Sequence, residues 1–182
     1  MRLSMGAAFL VAGAAAGFVT GLQALSGAGT TPASDGSSWV QEVVNPKDPY
    51  ALYAVGHFRS EGQLPPPRSS QLYSRLTDDD GSTLRGDCTY NIAGAALPAR
   101  WWTISVGPVA SPSQMVSANA ADTILTGDDK LEMTLSRRAS SGNWLALPEG
   151  ANLKLMLTLQ EAYDKEKRAT VILPAVTKVS CE

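Results

Sequence analysis

Leu153-Lys154-Leu155-Met156-Leu157-Thr158-Leu159 is the stretch that decides the fold class. Leucine recurs at every second position while Lys154 and Thr158 fall between, the alternation of a strand with one face in a core and the other toward water. The same period appears upstream. Leu131, Met133 and Leu135 alternate with Glu132, Thr134 and Ser136; Trp102, Ile104 and Val106 alternate with Trp101, Thr103 and Ser105. Cys88, Tyr90 and Ile92 share a face, and Leu72, Ser74 and Leu76 alternate with Tyr73, Arg75 and Thr77. Asp78-Asp79-Asp80-Gly81 then supplies residues that accept a tight hairpin turn. Short strands separated by Gly- and Pro-containing turns predict a mainly β domain, an antiparallel β-sandwich or jelly-roll-like fold.

The chain has 182 residues, 44% hydrophobic and 18% charged, which suits one core of useful size. Lys and Arg total 15 against 17 Asp and Glu, a net charge of -2, and the basic residues are scattered. No basic stripe with interleaved aromatics is present, so nucleic acid is excluded as an expected partner.

Ahead of the β region, Leu3 to Leu25 carries no charged residue. A helix of that length crosses a hydrocarbon core of ~30 Å at ~1.5 Å per residue. Arg2 precedes it and the next basic residue is Lys47, an asymmetry that keeps the N-terminus cytoplasmic and sends the rest across a bacterial inner membrane into the periplasm. The expectation is a single-pass signal-anchor over residues 1–25, tethering a periplasmic domain. A cleaved signal peptide is the competing reading, with Ser26, Gly27 and Ala28 as small residues for cleavage. Gly13, Gly17 and Gly21 recur every fourth residue, a small-residue face suited to homodimer packing in lipid or simply a product of Ala/Gly composition.

Residues 26–47 are dominated at their start by Gly, Ser, Thr, Ala and Pro and read as a flexible linker. The third segment, 48–182, opens with Asp48-Pro49 as N-cap and first helical position; Tyr50, Ala54, Val55 and Phe58 keep helical spacing until Gly62. Pro65, Pro66 and Pro67 forbid continuation.

Chemistry-bearing residues are few. Cys88 and Cys181 are the only cysteines, and an even count in an oxidising compartment predicts a disulfide. No cofactor motif is present, and with a single histidine and no CxxC there is no metal-ligand spacing. His57 lies on the expected helix with no nucleophile elbow to serve, so it reads as a structural or surface histidine. Asp78, Asp79 and Asp80 read as turn residues, without the full spacing of a calcium loop. Trp101 and Trp102 point to opposite faces, so both are buried only if the second face is covered; otherwise one indole stands free to stack on a sugar ring or a partner side chain.

Asp48-Pro49-Tyr50, Leu72-Tyr73, Asp78 to Gly81 with Leu84, Gly86, Cys88 and Tyr90, Ala99-Arg100-Trp101-Trp102, Asn143-Trp144 and Leu147-Pro148 together resemble the DUF1214 family. The resemblance runs from Asp48 to the C-terminus, and Leu173-Pro174 with Cys181 is similar to its short, membrane-anchored members. It implies a β-rich, jelly-roll-like fold without the DUF1254 domain that precedes it in larger relatives, and it assigns no activity. Where many members have an aromatic-acidic turn after the Trp pair, this chain has Gly107-Pro108.

Two functional classes follow. The first is a tethered, non-catalytic module binding an envelope protein or glycan, with Trp101, Trp102, Arg100, Asp80 and Asp87 as candidate contacts. The second is a carboxylate-based hydrolase of envelope glycans, with Asp80 and Asp87 in a groove near Arg100. Two carboxylates of raised pKa in one pocket favour the enzyme, and a flat face with an exposed indole favours the binder.

Overall fold

In the computed structural model, which describes residues 5–27, 29–44, 51–60, 66–67, 69–149, 152–162 and 171–181, the leucine stretch forms β9 (Leu153–Ala162). Leu153, Leu155, Leu157 and Leu159 are all buried, as the alternation predicts. β9 lies inside a six-stranded sheet ordered β1 (Thr30–Pro32), β2 (Val40–Glu42), β3 (Ser70–Arg75), β9, β5 (Ala99–Pro108), β6 (Val116–Asn119). A second sheet has four strands, β10 (Ala175–Cys181), β4 (Cys88–Ala95), β7 (Lys130–Ser136), β8 (Trp144–Ala146). Tyr90, Ile92, Leu131, Met133 and Leu135 of this sheet join Ile104, Val106 and the β9 leucines in one apolar cluster, so the core lies between the sheets.

The chain divides into two compact units, one comprising Met1–Thr30 with Val44–Pro65 and the other Thr31–Val43 with Pro66–Glu182. The first holds α1 (Met5–Gly27) and α2 (Ala51–Ser60), which contact each other; the second is the sandwich. α2 buries Ala54 and Phe58, one helical turn apart, in line with the sequence pattern. The proposed N-cap at Asp48-Pro49 and the side chain of His57 lie outside the described residues.

The expectation of a membrane-crossing helix is corrected. Among the described residues, the α1 stretch included, no helix is long and apolar enough to cross a membrane. Alanine and glycine make up most of that stretch, and both bring little apolar surface per residue. Gly13, Gly17 and Gly21 stand on α1 with open space where a Cβ would be.

Residues expected to form only a tether instead supply β1 and β2, with Ala33 and Trp39 buried between them. The Trp39 indole N–H donates to the Pro174 carbonyl at 2.8 Å, fastening this segment to the chain just before β10. A second difference concerns strand direction. β7 and β8 pair in parallel, whereas antiparallel pairing was predicted throughout. The loop between them doubles back over residues 137–143, and β8 is so short that no long crossover is needed.

Two glycines carry the connections. Gly81, at φ +81°, closes the turn after β3, where its N–H donates to the Asp78 carbonyl at 3.1 Å. That turn is hairpin-like as predicted, with Leu84 N–H donating to the Leu76 carbonyl, yet β3 and β4 enter different sheets and Leu76 is left exposed. At Gly107 a Cβ would lie 2.9 Å from Met115 Cγ and 3.0 Å from its Cα. The close approach lets the 3-10 turn Pro112–Gln114 fold against the end of β5, a local reason for glycine there.

The cysteines pair as predicted. Cys88 and Cys181 lie directly opposite each other on β4 and β10 and form a disulfide. A bridge of ordinary geometry was expected to hold the two Cα atoms ~4.4 to 6.8 Å apart; they lie 3.9 Å apart, closer also than the ~4.5 Å of directly opposed antiparallel pairs.

Candidate functional site

β5 sends its two tryptophans to opposite faces. Trp102 pairs with Leu159 and is 6% exposed in the core, so it is removed from the candidate contacts. Trp101 pairs with Gln160 on the outer face of the six-stranded sheet and remains 40% exposed. The pleat puts Thr103 on the same face, opposite Thr158 on β9 and Asn119 on β6, followed by Ser105 opposite Ser117. This face therefore offers an indole at one end of a row of hydroxyl and amide groups, interrupted by Met156 opposite Ser105 and bordered by buried Leu72 opposite Thr158. Asn119 is already engaged, its Nδ2 donating to Asp122 and its Oδ1 accepting from Ala121 N–H.

The remaining candidates do not converge on that indole. Arg100 pairs with Glu161 at 3.1 Å, and both side chains are exposed. Asp80 lies exposed in the turn after β3. Asp87 is gripped by both Nε and Nη2 of Arg85, with the Nε contact at 2.9 Å. The hydrogen bonds from Arg85 hold the Asp87 carboxyl below the usual carboxylate range.

The neighbouring aspartates of the turn are structural. Asp78 is buried, and its Oδ1 accepts from Ser82 N–H at 2.8 Å. Asp79 accepts from Arg75 Nη1 at 2.9 Å and from Val176 N–H at 2.7 Å, while its own N–H donates to the Val176 carbonyl at 2.9 Å. Arg75 itself is buried, donates through Nε to the Thr77 carbonyl and places its guanidinium 5.4 Å from the centroid of the Trp39 ring. This network ties the turn after β3 to β10 and to the β1–β2 segment. Sequence reasoning missed it because Arg75 occupies an ordinary position in an alternating strand; the one available signal was its i, i+4 spacing from Asp79.

Two hollows sit side by side on the outer face of the four-stranded sheet and share Thr134. One, of about 230 Å³, is lined by Asp87, Thr89, Ser136, Arg137 and Arg138 among others. The second, of about 290 Å³, includes Asn91, Ile124, Leu125, Glu132 and Asn143. Its rim is pinned: Asn143 accepts from Ile124 N–H and donates to the carbonyls of Ile124 and Glu132, all within 2.8 Å. Each hollow has one carboxylate in its lining, Asp87 or Glu132. Acid-base cleavage of a glycosidic bond calls for two, flanking one bond.

A family model described as "Protein of unknown function (DUF1214)" matches residues 69–164, from the residue before β3 to just beyond β9. The chain belongs to the DUF1214 family. Trp101, the Arg75 network and both hollows fall wholly or largely inside the matched region. Among solved structures, this DUF1214 chain is similar to the VPA0106 protein from Vibrio parahaemolyticus, at 14% identity and a TM-score of 0.60 over 99% of its length. That likeness shows a shared fold, and the chain spans 47% of the length of that protein. An uncharacterised protein from Burkholderia cenocepacia matches 62% of this chain and 29% of its own at 17% identity, with a TM-score of 0.42. No curated protein matches.

Proposed function

We propose that this DUF1214 protein is a non-catalytic binding module of the bacterial envelope, working in the periplasm, and that it holds a polysaccharide on the outer face of its six-stranded sheet. The observation that carries the reading is Trp101, 40% exposed on the outer sheet face with Gln160, Thr103 and Thr158. An indole face stacks on the apolar side of a pyranose ring, and hydroxyl and amide neighbours match the ring's hydroxyl groups. The Cys88–Cys181 disulfide supports an oxidising compartment. The hydrolase reading draws no such support, because Asp87 is locked to Arg85 with a lowered pKa and Asp80 is exposed in a turn.

Co-sedimentation with purified peptidoglycan sacculi tests the proposal. The wild-type chain should pellet with the polymer, and Trp101→Ala should weaken binding about tenfold or more, the scale of losing a central aromatic contact, while the protein stays folded at the assay temperature. Equal pelleting of both proteins, or none of the wild type with sacculi and with chitin alike, would overturn it.

A further inference from the structure

β10 is held very unevenly along its length. Its first half is anchored by many groups: Val176 is fully buried, Asp79 exchanges two hydrogen bonds with Val176, and just upstream Trp39 bonds to Pro174 and Asp35 to Leu173 N–H. Lys178 adds an ion pair to Asp78 at 3.7 Å. The register then shifts between Lys178 and Ser180, and Val179, Ser180 and Cys181 are all exposed. The edge ladder with Thr89 and Cys88 and the disulfide hold these last residues. Cys181 is an exposed residue on an edge strand while Cys88 is buried, so the two ends of the bridge differ in their exposure to solvent.

We infer that Cys88–Cys181 is a thiol–disulfide exchange site, attacked at Cys181 by an external thiolate, and that its opening releases only the end of β10. In the first step the incoming thiolate forms a bond to Cys181 Sγ, the bond between the two cysteine sulfurs breaks, and Cys88 departs as a thiolate that takes a proton from water. A second thiol, from the same dithiol or another molecule, then displaces Cys181; the protein gains two electrons and the external thiols end as a disulfide. Access decides the direction of attack. The Asp87 carboxylate lies 3.6 Å from Cys88 Sγ, but its charge is matched by Arg85, so it adds little bias to the leaving group. Exposed disulfides are the ones open to exchange, in contrast to bridges sealed in a core. Release of residues 179–181 leaves the β4 edge unpaired at Cys88 and Thr89, two residues that also line the smaller hollow. The edge then presents the free backbone donor and acceptor of Thr89 beside that hollow, while Cys88 N–H stays bonded to the Arg85 carbonyl at 3.3 Å.

The test uses the oxidised full chain in native buffer. Glutathione is added, the reaction is quenched in acid, free thiols are alkylated, and the modified cysteines are mapped. A parallel sample is reduced with dithiothreitol and followed by amide hydrogen exchange. Glutathione should be found on Cys181 with the alkylating group on Cys88, and reduction should run at least about tenfold faster than global unfolding in the same buffer. Exchange protection should be lost at Ser180, which pairs with Thr89, and kept at Ile92 and Val176. Reduction only at the unfolding rate, glutathione chiefly on Cys88, or loss of protection at Ile92 and Val176 would each overturn the inference.

Discussion

Replacing Arg75 by methionine asks how far the sandwich depends on one buried cation. The side chain is 0% exposed, donates to the Thr77 carbonyl at 2.6 Å and to Asp79 at 2.9 Å, and packs its guanidinium against Trp39. Methionine keeps much of the aliphatic volume and deletes all three interactions. Removing one partner of a buried ion pair costs about 3 to 5 kcal/mol, because the other is left uncompensated. Asp79 is 35% exposed and keeps its bond to Val176 N–H, so its carboxylate recovers part of its hydration. The loss therefore falls near the lower end, at about 3 kcal/mol, a large share of the ~5 to 15 kcal/mol that holds a domain together. Urea unfolding followed by tryptophan fluorescence should show a lower midpoint at unchanged slope. Adding Asp79→Asn should cost less than in the wild-type background, with a coupling of about 1 kcal/mol or more. An Arg75→Met protein within about 0.5 kcal/mol of wild type, the range of ordinary surface changes, would refute the reasoning.

Cys88→Ser and Cys181→Ser should each lower stability by about 3 to 5 kcal/mol in the chain-entropy model, with no further loss in the double variant, as measured by the same urea titration. Asp35 is subject to burial that works to raise its pKa, but hydrogen bonds from Ser37 Oγ, Leu173 N–H and Ser37 N–H outweigh this and hold it below its ordinary value. Its contribution is thus fully present above about pH 4 and lost as pH falls through the lowered folded pKa, so Asp35→Asn should be less stable at neutral pH and converge with wild type in acid melts. Convergence at neutral pH instead would count against that role. Asn143→Ala removes three bonds to the Ile124 and Glu132 backbone, and amide exchange should speed up at Ile124 while Leu135 stays protected.

The strands with a clean period of two were legible: Leu153 to Leu159, Trp102 to Val106 and Leu131 to Leu135 are buried as their alternation requires. β3 was legible as a strand but not in its facing, since Leu72, Tyr73, Ser74 and Arg75 are all buried, on both faces. β1 and β2 were hidden because a strand of three residues has no readable period, and their Gly- and Ser-rich surroundings match the composition of a tether. Trp39 was the single large apolar residue there that signalled burial. The candidate site was half legible: the exposure of one indole follows from strand alternation, whereas the separation of Arg100, Asp80 and Asp87 depends on how β3, β4 and β5 are dealt between two sheets. The hollows around Thr134 depend on the loop at residues 137–143, whose path has no periodic signature.

The most direct test of the polysaccharide face is to follow the indole N–H signals of the four tryptophans by NMR while a soluble chitooligosaccharide is titrated into the protein. Trp101 should shift progressively, together with the amides of Thr103 and Gln160, while the buried Trp39 and Trp102 signals stay in place. Saturable shifts confined to Thr134, Arg137 and Asn143, with Trp101 unmoved, would contradict the assignment of the binding face.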